Sequence, residues 1–155
     1  GCVRQHGERW LCGGLRWLFR RLFAEGRSGS VPIAMHSFEL WDEGGRLAAG
    51  HLGYTVGSVY TSVTGFHGPG TSGAGEVLLV LAASLLHKMG YEWLDLGAPE
   101  RYMDSLGARS ISRDAFLERL RACRDRQIRF GHRGVHGGEL LSYAFEAARA
   151  PTHWQ

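Results

Sequence analysis

One carboxylate stands where enzymes often place a catalytic group. Asp95 lies near the end of an apolar segment, Tyr91 to Leu96, that the residue pattern predicts as a buried strand. A carboxylate at such a position can act as a general base or orient a reacting group. It can instead accept hydrogen bonds from neighbouring backbone N–H groups and cap the next helix. The residue type leaves both interpretations of Asp95 open.

A glycine-rich loop precedes a predicted helix. Gly70, Gly73 and Gly75 have the spacing G-x-x-G-x-G, which can turn backbone amides toward a phosphate at a helix N-terminus. In some acetyltransferases a loop of this kind holds the pyrophosphate of coenzyme A. Glu76 would put a negative charge close to the phosphates, so a flexible loop without a ligand is the competing interpretation.

Histidines and arginines are frequent toward the C-terminus. His132 and His136 have a spacing that could present a metal site on a helix, but the surrounding glycines disfavour a helix. We therefore expect a solvated basic segment there and no metal site. Six arginines could contact RNA phosphates or simply solvate a helix surface: Arg119, Arg121, Arg124, Arg126, Arg129 and Arg133.

The composition narrows the class of protein. The chain has 155 residues, 44% of them hydrophobic, which suffices for one domain with a sizeable core. The net charge of +3 is a weak indication of a nucleic-acid or acidic partner. Three cysteines without a C-x-x-C spacing predict neither a disulfide framework nor a zinc site. We therefore expect a reducing intracellular compartment, either the cytoplasm or an organelle matrix or stroma. No apolar segment is long enough to span a bilayer.

Hydrophobic periodicity predicts the elements that would position these residues. An amphipathic helix is expected from Glu8 to Glu25, with Trp10 among its core residues, followed by a loop from Gly26 to Pro32. Three strands in a meander then precede a helix, a fourth strand and further helices. The expected segments are Met35–Trp41, Leu47–Val56, Val59–Thr64, Glu76–Met89, Tyr91–Leu96, Pro99–Leu106, Arg113–Cys123 and Gly138–Arg149.

The order of motifs resembles the C-terminal domain of the leucyl/phenylalanyl-tRNA–protein transferase family, over roughly Gly1 to Leu120. The residues that carry this resemblance are His36-Ser37-Phe38-Glu39-Leu40-Trp41, Leu47, Gly50, Gly57, Phe66, Leu94-Asp95, Ser105-Leu106-Gly107-Ala108, Ile111, Arg113 and Phe116-Leu117. The resemblance implies an α/β (α+β) protein with a GNAT-like acyltransferase fold. In that fold a central mixed, mostly antiparallel sheet is flanked by helices.

The resemblance also implies an activity, the transfer of leucine or phenylalanine from its tRNA to the N-terminal Arg or Lys of a protein, in the N-degron pathway. Asp95 falls on the family's catalytic aspartate, and Trp10 on the tryptophan that packs against the terminal adenosine. Val63, Phe66 and Gly97 complete the expected substrate-binding set. No cofactor is implied, and the expected partners are aminoacyl-tRNA and a protein N-terminus.

Two departures from the family pattern leave open whether the chain is an active aminoacyltransferase. Val63 replaces a glutamate and Gly97 replaces a glutamine, so weakened or lost transfer is expected. The alternatives are a catalytically degenerate accessory or structural subunit of a larger assembly, and an N-acetyltransferase that uses coenzyme A. We expect a transferase domain over residues 1–124 and a basic tail over 125–155 that could dock partner subunits. The start at Gly1 suggests a processed protein or a piece of a longer one.

Overall fold

The computed structural model describes residues 1–25, 33–98, 100–131 and 134–149 and folds them into six helices and four strands. In chain order these are α1 (Cys2–His6), α2 (Gly13–Glu25), β1 (Ile33–Trp41), β2 (Leu47–Val56), β3 (Val59–His67), α3 (Ala74–Lys88), β4 (Trp93–Asp95), α4 (Arg101–Ser105), α5 (Arg113–Cys123) and α6 (Gly137–Arg149). Across these described residues, no helix has the length and apolar character needed to cross a membrane.

The strands form one mixed sheet in the order β1-β2-β3-β4. The first three pair antiparallel with their chain neighbours, and β4 runs parallel to β3. Gly57, with a left-handed φ of 59°, allows the two-residue turn that links Val56 to Val59. The predicted architecture, a mixed and mostly antiparallel sheet flanked by helices, is confirmed. It is consistent with an α+β acyltransferase-like fold.

Helix α3 forms the centre of the core. It packs against β1, β2 and β3, where it meets Phe38, Ala49 and Tyr60. Burying each large aliphatic side chain contributes about 1.5–3 kcal/mol, so this helix holds the three strands together. Its side chains in the buried cluster are Leu78, Leu81, Ala82, Leu85 and Leu86.

Helix α5 packs beside β4, on the face of the sheet opposite α3. Leu94 packs against the core with α3, and Trp93 points to the opposite face because side chains alternate along a strand. There the ring of Trp93 meets the ring of Phe116 edge-on, with centroids 5.3 Å apart. The backbone N–H of Ser58 also donates to the carbonyl of Cys123 at 3.1 Å, which ties the end of α5 to the β2–β3 turn.

The N-terminal helix differs from the prediction. A single helix from Glu8 to Glu25 is wrong, because α2 begins only at Gly13 and the shorter helix α1 precedes it. A continuous helix would carry Gly13 and Gly14 in its interior, at a cost of about 1 kcal/mol each relative to alanine. None of the α2 residues is fully buried, and Leu18 of this amphipathic helix is 41% exposed.

The other predicted elements are present, most of them with shifted ends. Strand β3 runs on to His67, three residues beyond the prediction, and β4 is shorter than the predicted segment Tyr91–Leu96. Helix α5 has its predicted bounds. The predicted loop Gly26–Pro32 and the residue Pro99 lie outside the described residues.

The segment after residue 124 contributes to the core. Ile128 and Phe130 pack against the core cluster, and Leu140 of α6 belongs to it. The ring of Phe130 also stacks on the ring of His36 at 3.9 Å. The expectation of a solvated tail is therefore wrong for these residues. The domain boundary itself, and docking of partners through residues 125–155, stay predictions.

Candidate active site

A cleft of about 570 Å³ opens where β3 and β4 separate. The two strands pair from Val59–Trp93 to Thr61–Asp95, where β4 ends, while β3 continues to His67. The cleft thus lies beyond the carboxyl end of β4, where open sheets commonly bind ligands. Its walls come from α1 and the turn before α2, from β2 and β3, from the start of α3 and from the segment 96–103.

The cleft brings together the four residues predicted to bind substrate. Trp10, Val63, Phe66 and Gly97 all line it. Trp10 lies in the turn between α1 and α2 and is 49% exposed, so the expectation that it is buried among helix core residues is wrong. The cause is the late start of α2, which leaves this ring outside the helix. An exposed aromatic ring on a cleft wall is available for stacking on a nucleic-acid base.

Val63 lies in a β-bulge. Leu52 pairs with Thr64 and Gly53 pairs with Ser62, so Val63 is an extra residue on β3. A bulge bends its strand and re-aims side chains. Here it interrupts the regular ladder at the floor of the cleft.

Helix α1 covers part of the edge of β3 that β4 leaves open. The Nε2 of His6 donates to the carbonyl of Gly65 at 2.7 Å, and the backbone N–H of His67 donates to the side-chain oxygen of Gln5 at 3.0 Å. These bonds satisfy backbone groups that have no neighbouring strand. They also place Gln5 and His6 on the cleft wall.

Asp95 stands beside the cleft. The described lining residues include Leu96, Gly97 and Ala98 but not Asp95 itself. Its Oδ1 accepts a hydrogen bond from the backbone N–H of Gly97 at 2.9 Å. The carboxylate thus shapes the turn that forms one wall, which is the backbone-capping interpretation of this residue. Its catalytic role stays a prediction.

Gly97 has a backbone conformation that few other residues adopt. Its φ is 75°, in the left-handed region that glycine enters without a steric cost. The glutamine that the resemblance places here would be strained in this turn. The backbone conformation of this turn therefore favours the glycine of this chain over the glutamine of the family pattern.

The glycine-rich loop enters α3 beside the cleft. Gly70 and Gly73 have φ of 74° and 82°, and Gly73 directly precedes the helix. Gly75 and Glu76, in the first turn, line the cleft. The carboxylate of Glu76 therefore stands close to the amides that a phosphate would need. Coenzyme A binding by this loop stays a prediction.

A histidine that the sequence interpretation missed lies in the cleft. The Nε2 of His51 is 2.8 Å from the hydroxyl oxygen of Ser62, and its Nδ1 is 3.3 Å from the hydroxyl oxygen of Tyr60. Burial lowers the pKa of His51 from 6.5 to about 4, because desolvation disfavours the charged ring. The imidazole is therefore neutral at pH 7. Burial likewise raises the pKa of Tyr60.

The sequence predicts only part of the contact between His51 and Ser62. Alternation along β2 places His51 and Gly53 on one face, which is readable from the predicted strand. The bulge at Val63 shifts the register of β3 against β2. Without knowledge of that shift, Ser62 cannot be assigned to the same face as His51.

Two carboxylates give the mouth of the cleft a negative character. Glu76 and Glu100 line it, and among the described residues no Arg or Lys does. Burial, and then the charges of Glu100 and Glu76, raise the pKa of Tyr102 on the same wall. Such a wall attracts a cation and repels a phosphate.

Only one histidine of the pair His132 and His136 lies among the described residues. His132 lies outside the described residues, and the Nδ1 of His136 accepts a hydrogen bond from the backbone N–H of Gly138 at 3.3 Å. Within the described residues, no group of three His, Cys, Asp or Glu side chains could hold a metal ion.

Two of the arginines proposed for RNA contact take part in ion pairs. Arg126 pairs with Glu92, and Arg124 lies 3.6 Å from the carboxylate of Asp125. Arg133 lies outside the described residues. Contact of this segment with RNA stays a prediction.

Comparison with known proteins assigns the chain to a family. The sequence profile described as leucyl/phenylalanyl-tRNA protein transferase matches residues 1–121. The chain belongs to the leucyl/phenylalanyl-tRNA protein transferase family. The resemblance seen in the sequence is thereby confirmed, and the protein is transferase-like. The matched residues contain every lining residue of the cleft that the structure describes, from Gln5 to Met103.

Curated relatives named leucyl/phenylalanyl-tRNA–protein transferase show the extent of the similarity. The protein from Shewanella sp. (strain W3-18-1) is 29% identical over 132 residues, which cover 83% of this chain and 51% of the relative. The protein from Shewanella pealeana is 28% identical over 128 residues, covering 81% of this chain and 50% of the relative. This transferase-family chain thus spans about half the length of the curated relatives it matches.

Proposed function

We propose that the cleft moves an aminoacyl group, leucine or phenylalanine, from a tRNA to the N-terminal amine of a protein that begins with Arg or Lys. The observation that carries this proposal is the convergence of Trp10, Val63, Phe66 and Gly97 on one open cleft inside the family match. Its volume of about 570 Å³ falls within the roughly 300–1,000 Å³ usual for small-molecule sites. The aminoacyl end of a tRNA is a ligand of that size.

The proposed reaction is attack of an amine on an ester. A carbon–nitrogen bond forms at the aminoacyl carbonyl, the bond from that carbon to the ribose oxygen breaks, and the amine's proton passes to the departing ribose hydroxyl. The site must hold the amine unprotonated and donate hydrogen bonds to the oxyanion that develops on the carbonyl oxygen.

The cleft offers a surface for each part of the substrates. The exposed ring of Trp10 is placed to stack on the terminal adenosine, and Val63 and Phe66 give apolar contacts for a leucyl or phenylalanyl side chain. Glu76 and Glu100 would attract the cationic first residue of the acceptor. The partners proposed on this basis are an aminoacyl-tRNA and a basic protein N-terminus, and no cofactor takes part.

The proposed transfer is slow. Val63 and Gly97 supply no polar side chain where the family pattern has a glutamate and a glutamine. General acid–base groups typically contribute about 10²–10⁴-fold each, so their loss weakens catalysis strongly. Asp95 is the carboxylate of the family's catalytic pattern that this chain keeps. We propose that it acts from beside the cleft.

Transfer of labelled leucine from leucyl-tRNA to a peptide beginning with Arg tests this function. We expect slow transfer by the unaltered chain and none to the same peptide with an acetylated N-terminus. Asp95→Asn keeps an oxygen that can accept from the Gly97 N–H but removes the charge, so it should lower the rate at least tenfold while the melting temperature stays unchanged. Asp95→Ala removes both the charge and the oxygen that accepts from the Gly97 N–H. Transfer at background level by the unaltered chain would overturn the proposal.

A further inference from the structure

Three side chains on neighbouring strands form a chain of hydrogen bonds from the core to the cleft. Tyr60 of β3 is 0% exposed, and its hydroxyl reaches the Nδ1 of His51 on β2. The opposite ring nitrogen, Nε2, reaches the hydroxyl of Ser62, which lines the cleft. One end of this chain is sealed in the core, and the other faces the space where a ligand would lie.

Burial fixes the direction of these bonds. The hydroxyl hydrogen of Tyr60 needs an acceptor, because an unbonded donor in the core costs free energy. Among the described residues, the hydrogen-bond partner of that hydroxyl is the Nδ1 of His51. Tyr60 therefore donates to Nδ1. Since the ring is neutral, its hydrogen is on Nε2 and is donated to the oxygen of Ser62.

We propose that Tyr60, His51 and Ser62 form a hydrogen-bond relay that presents the Ser62 hydroxyl as a donor to the carbonyl oxygen of an aminoacyl group bound in the cleft. This inference rests on the proposed function. With its oxygen occupied by the His51 Nε2–H, Ser62 directs its own hydrogen into the cleft. Hydrogen bonds in such a chain polarise one another, which strengthens the last donor.

The relay supplies a donor for the charge that develops in the reaction. When the amine attacks, the carbonyl oxygen becomes an oxyanion, and a donor already held in place stabilises it without reorganisation. Ser62 is then the residue that touches the substrate, while His51 and Tyr60 are positioning residues.

The direction of the relay excludes a nucleophilic serine. A serine nucleophile needs a histidine nitrogen that can accept its proton. Here the Nε2 that faces Ser62 carries the ring hydrogen. The reverse arrangement would leave the buried Tyr60 hydrogen without an acceptor.

Nitrogen-15 NMR of the histidine rings tests the relay without any substrate. We expect the neutral His51 tautomer with hydrogen on Nε2 and a bare Nδ1 at pH 7. Tyr60→Phe removes the donor to Nδ1 and should shift the ring toward a mixture of tautomers. A hydrogen on Nδ1, or a doubly protonated ring at pH 7, would overturn the relay whether or not the protein transfers amino acids.

Binding of two matched analogues tests the contact with the carbonyl. The first carries leucine in amide linkage to 3′-amino-3′-deoxyadenosine, and the second has sulfur in place of the carbonyl oxygen, which makes it a weaker acceptor. The unaltered chain should prefer the oxygen analogue by roughly 2- to 12-fold, the range of one neutral hydrogen bond. Ser62→Ala should abolish this preference. Ser37→Ala, which removes an exposed strand serine away from the cleft, should retain it.

The outcomes separate the relay from the proposed function. Leucine transfer together with an undiminished oxygen preference in Ser62→Ala would overturn the relay and keep the function. An oxygen preference that depends on Ser62, without any transfer from tRNA, would keep the relay and overturn the function. Failure of the unaltered chain to bind either analogue would overturn both.

Discussion

The buried imidazole of His51 couples folding to pH. Its pKa is about 4 in the folded chain and 6.5 in the unfolded one. Between these values the unfolded chain binds more protons, so the stabilisation is complete above about pH 6.5 and is lost as the pH falls toward 4. We expect the free energy of unfolding to decrease by at most about 1.4 kcal/mol per pH unit in this window. Urea unfolding at pH 7 and at pH 5 measures this decrease in the free energy of unfolding.

A matched pair of histidine variants isolates this effect. His51→Gln should flatten the pH dependence between pH 7 and pH 5. His67→Gln, which alters an exposed histidine at the end of β3, should leave the dependence as in the unaltered chain. Equal slopes in the two variants would show that His51 is not the titrating group.

Trp10 and Trp17 are both exposed tryptophans, but only Trp10 lines the cleft. Stacking of an aromatic ring on a base contributes about 1–3 kcal/mol. Trp10→Ala should therefore weaken binding of an aminoacyl-adenosine analogue by roughly 5- to 150-fold, as measured by calorimetry. Trp17→Ala should leave the affinity unchanged. A similar loss in both variants would argue against stacking by Trp10.

The family resemblance predicted some of the residues that line this cleft. The resemblance indicated Trp10, Val63, Phe66 and Gly97, and the structure brings these four together. It could not indicate His51, because the burial that keeps its ring neutral depends on packing that no single residue type reveals.

Gly53 leaves the space through which the Tyr60 hydroxyl reaches His51. A Cβ at Gly53 would collide with that hydroxyl and would lie 2.5 Å from the carbonyl oxygen of Thr61. Gly53→Ala should therefore destabilise the fold by about 1–3 kcal/mol, the usual cost of overpacking. Thermal unfolding should show the melting temperature falling by about 2–4 °C per kcal/mol.

Gly65 provides the control on the same sheet. A Cβ there would make ordinary contacts of 3.4 Å with the carbonyl oxygen of Gly50 and the ring of His51. Gly65→Ala should change the melting temperature much less than Gly53→Ala. The reverse order would show that Gly53 does not accommodate Tyr60 in solution.

The sequence pattern located the strands but not the β-bulge in β3 or the start of α2. The turn residues Asp42–Gly45 and Gly57–Ser58 on either side of Leu47–Val56 were sufficient to locate β2 with its observed ends. The bulge at Val63 has no local signal, because it arises from how two strands pair. The start of α2 was mispredicted because apolar spacing alone outweighed the helix-breaking tendency of Gly13 and Gly14.

Helix α6 joins the C-terminal part of the molecule to the core through Leu140. This side chain is 5% exposed and belongs to the core cluster. Leu140→Ala should cost about 2–5 kcal/mol of unfolding free energy. Phe145→Ala, at a position that is 69% exposed, should be nearly neutral. Urea unfolding compares the two, and a neutral Leu140→Ala would support an independent tail after residue 124.

The overall charge did not predict the character of the cleft. The net charge is +3, yet the described part of the cleft's mouth carries the carboxylates Glu76 and Glu100. Composition averages over the whole surface, whereas binding depends on the few groups that the fold brings together. The packing of Phe130 and Leu140 also escaped prediction, because their partners in the core lie far away in sequence.

The parallel pairing of β4 sets an order of assembly. β1, β2 and β3 pair with their chain neighbours, whereas Val59 of β3 must find Trp93 across the whole of α3. Contacts between distant residues form more slowly than local ones, because a longer loop must close first. During folding, the meander can therefore bring His51 and Tyr60 together before β4 arrives and completes the wall of the cleft. A chain on the ribosome would thus pair the two strands that carry the relay residues before it had anywhere to hold a substrate.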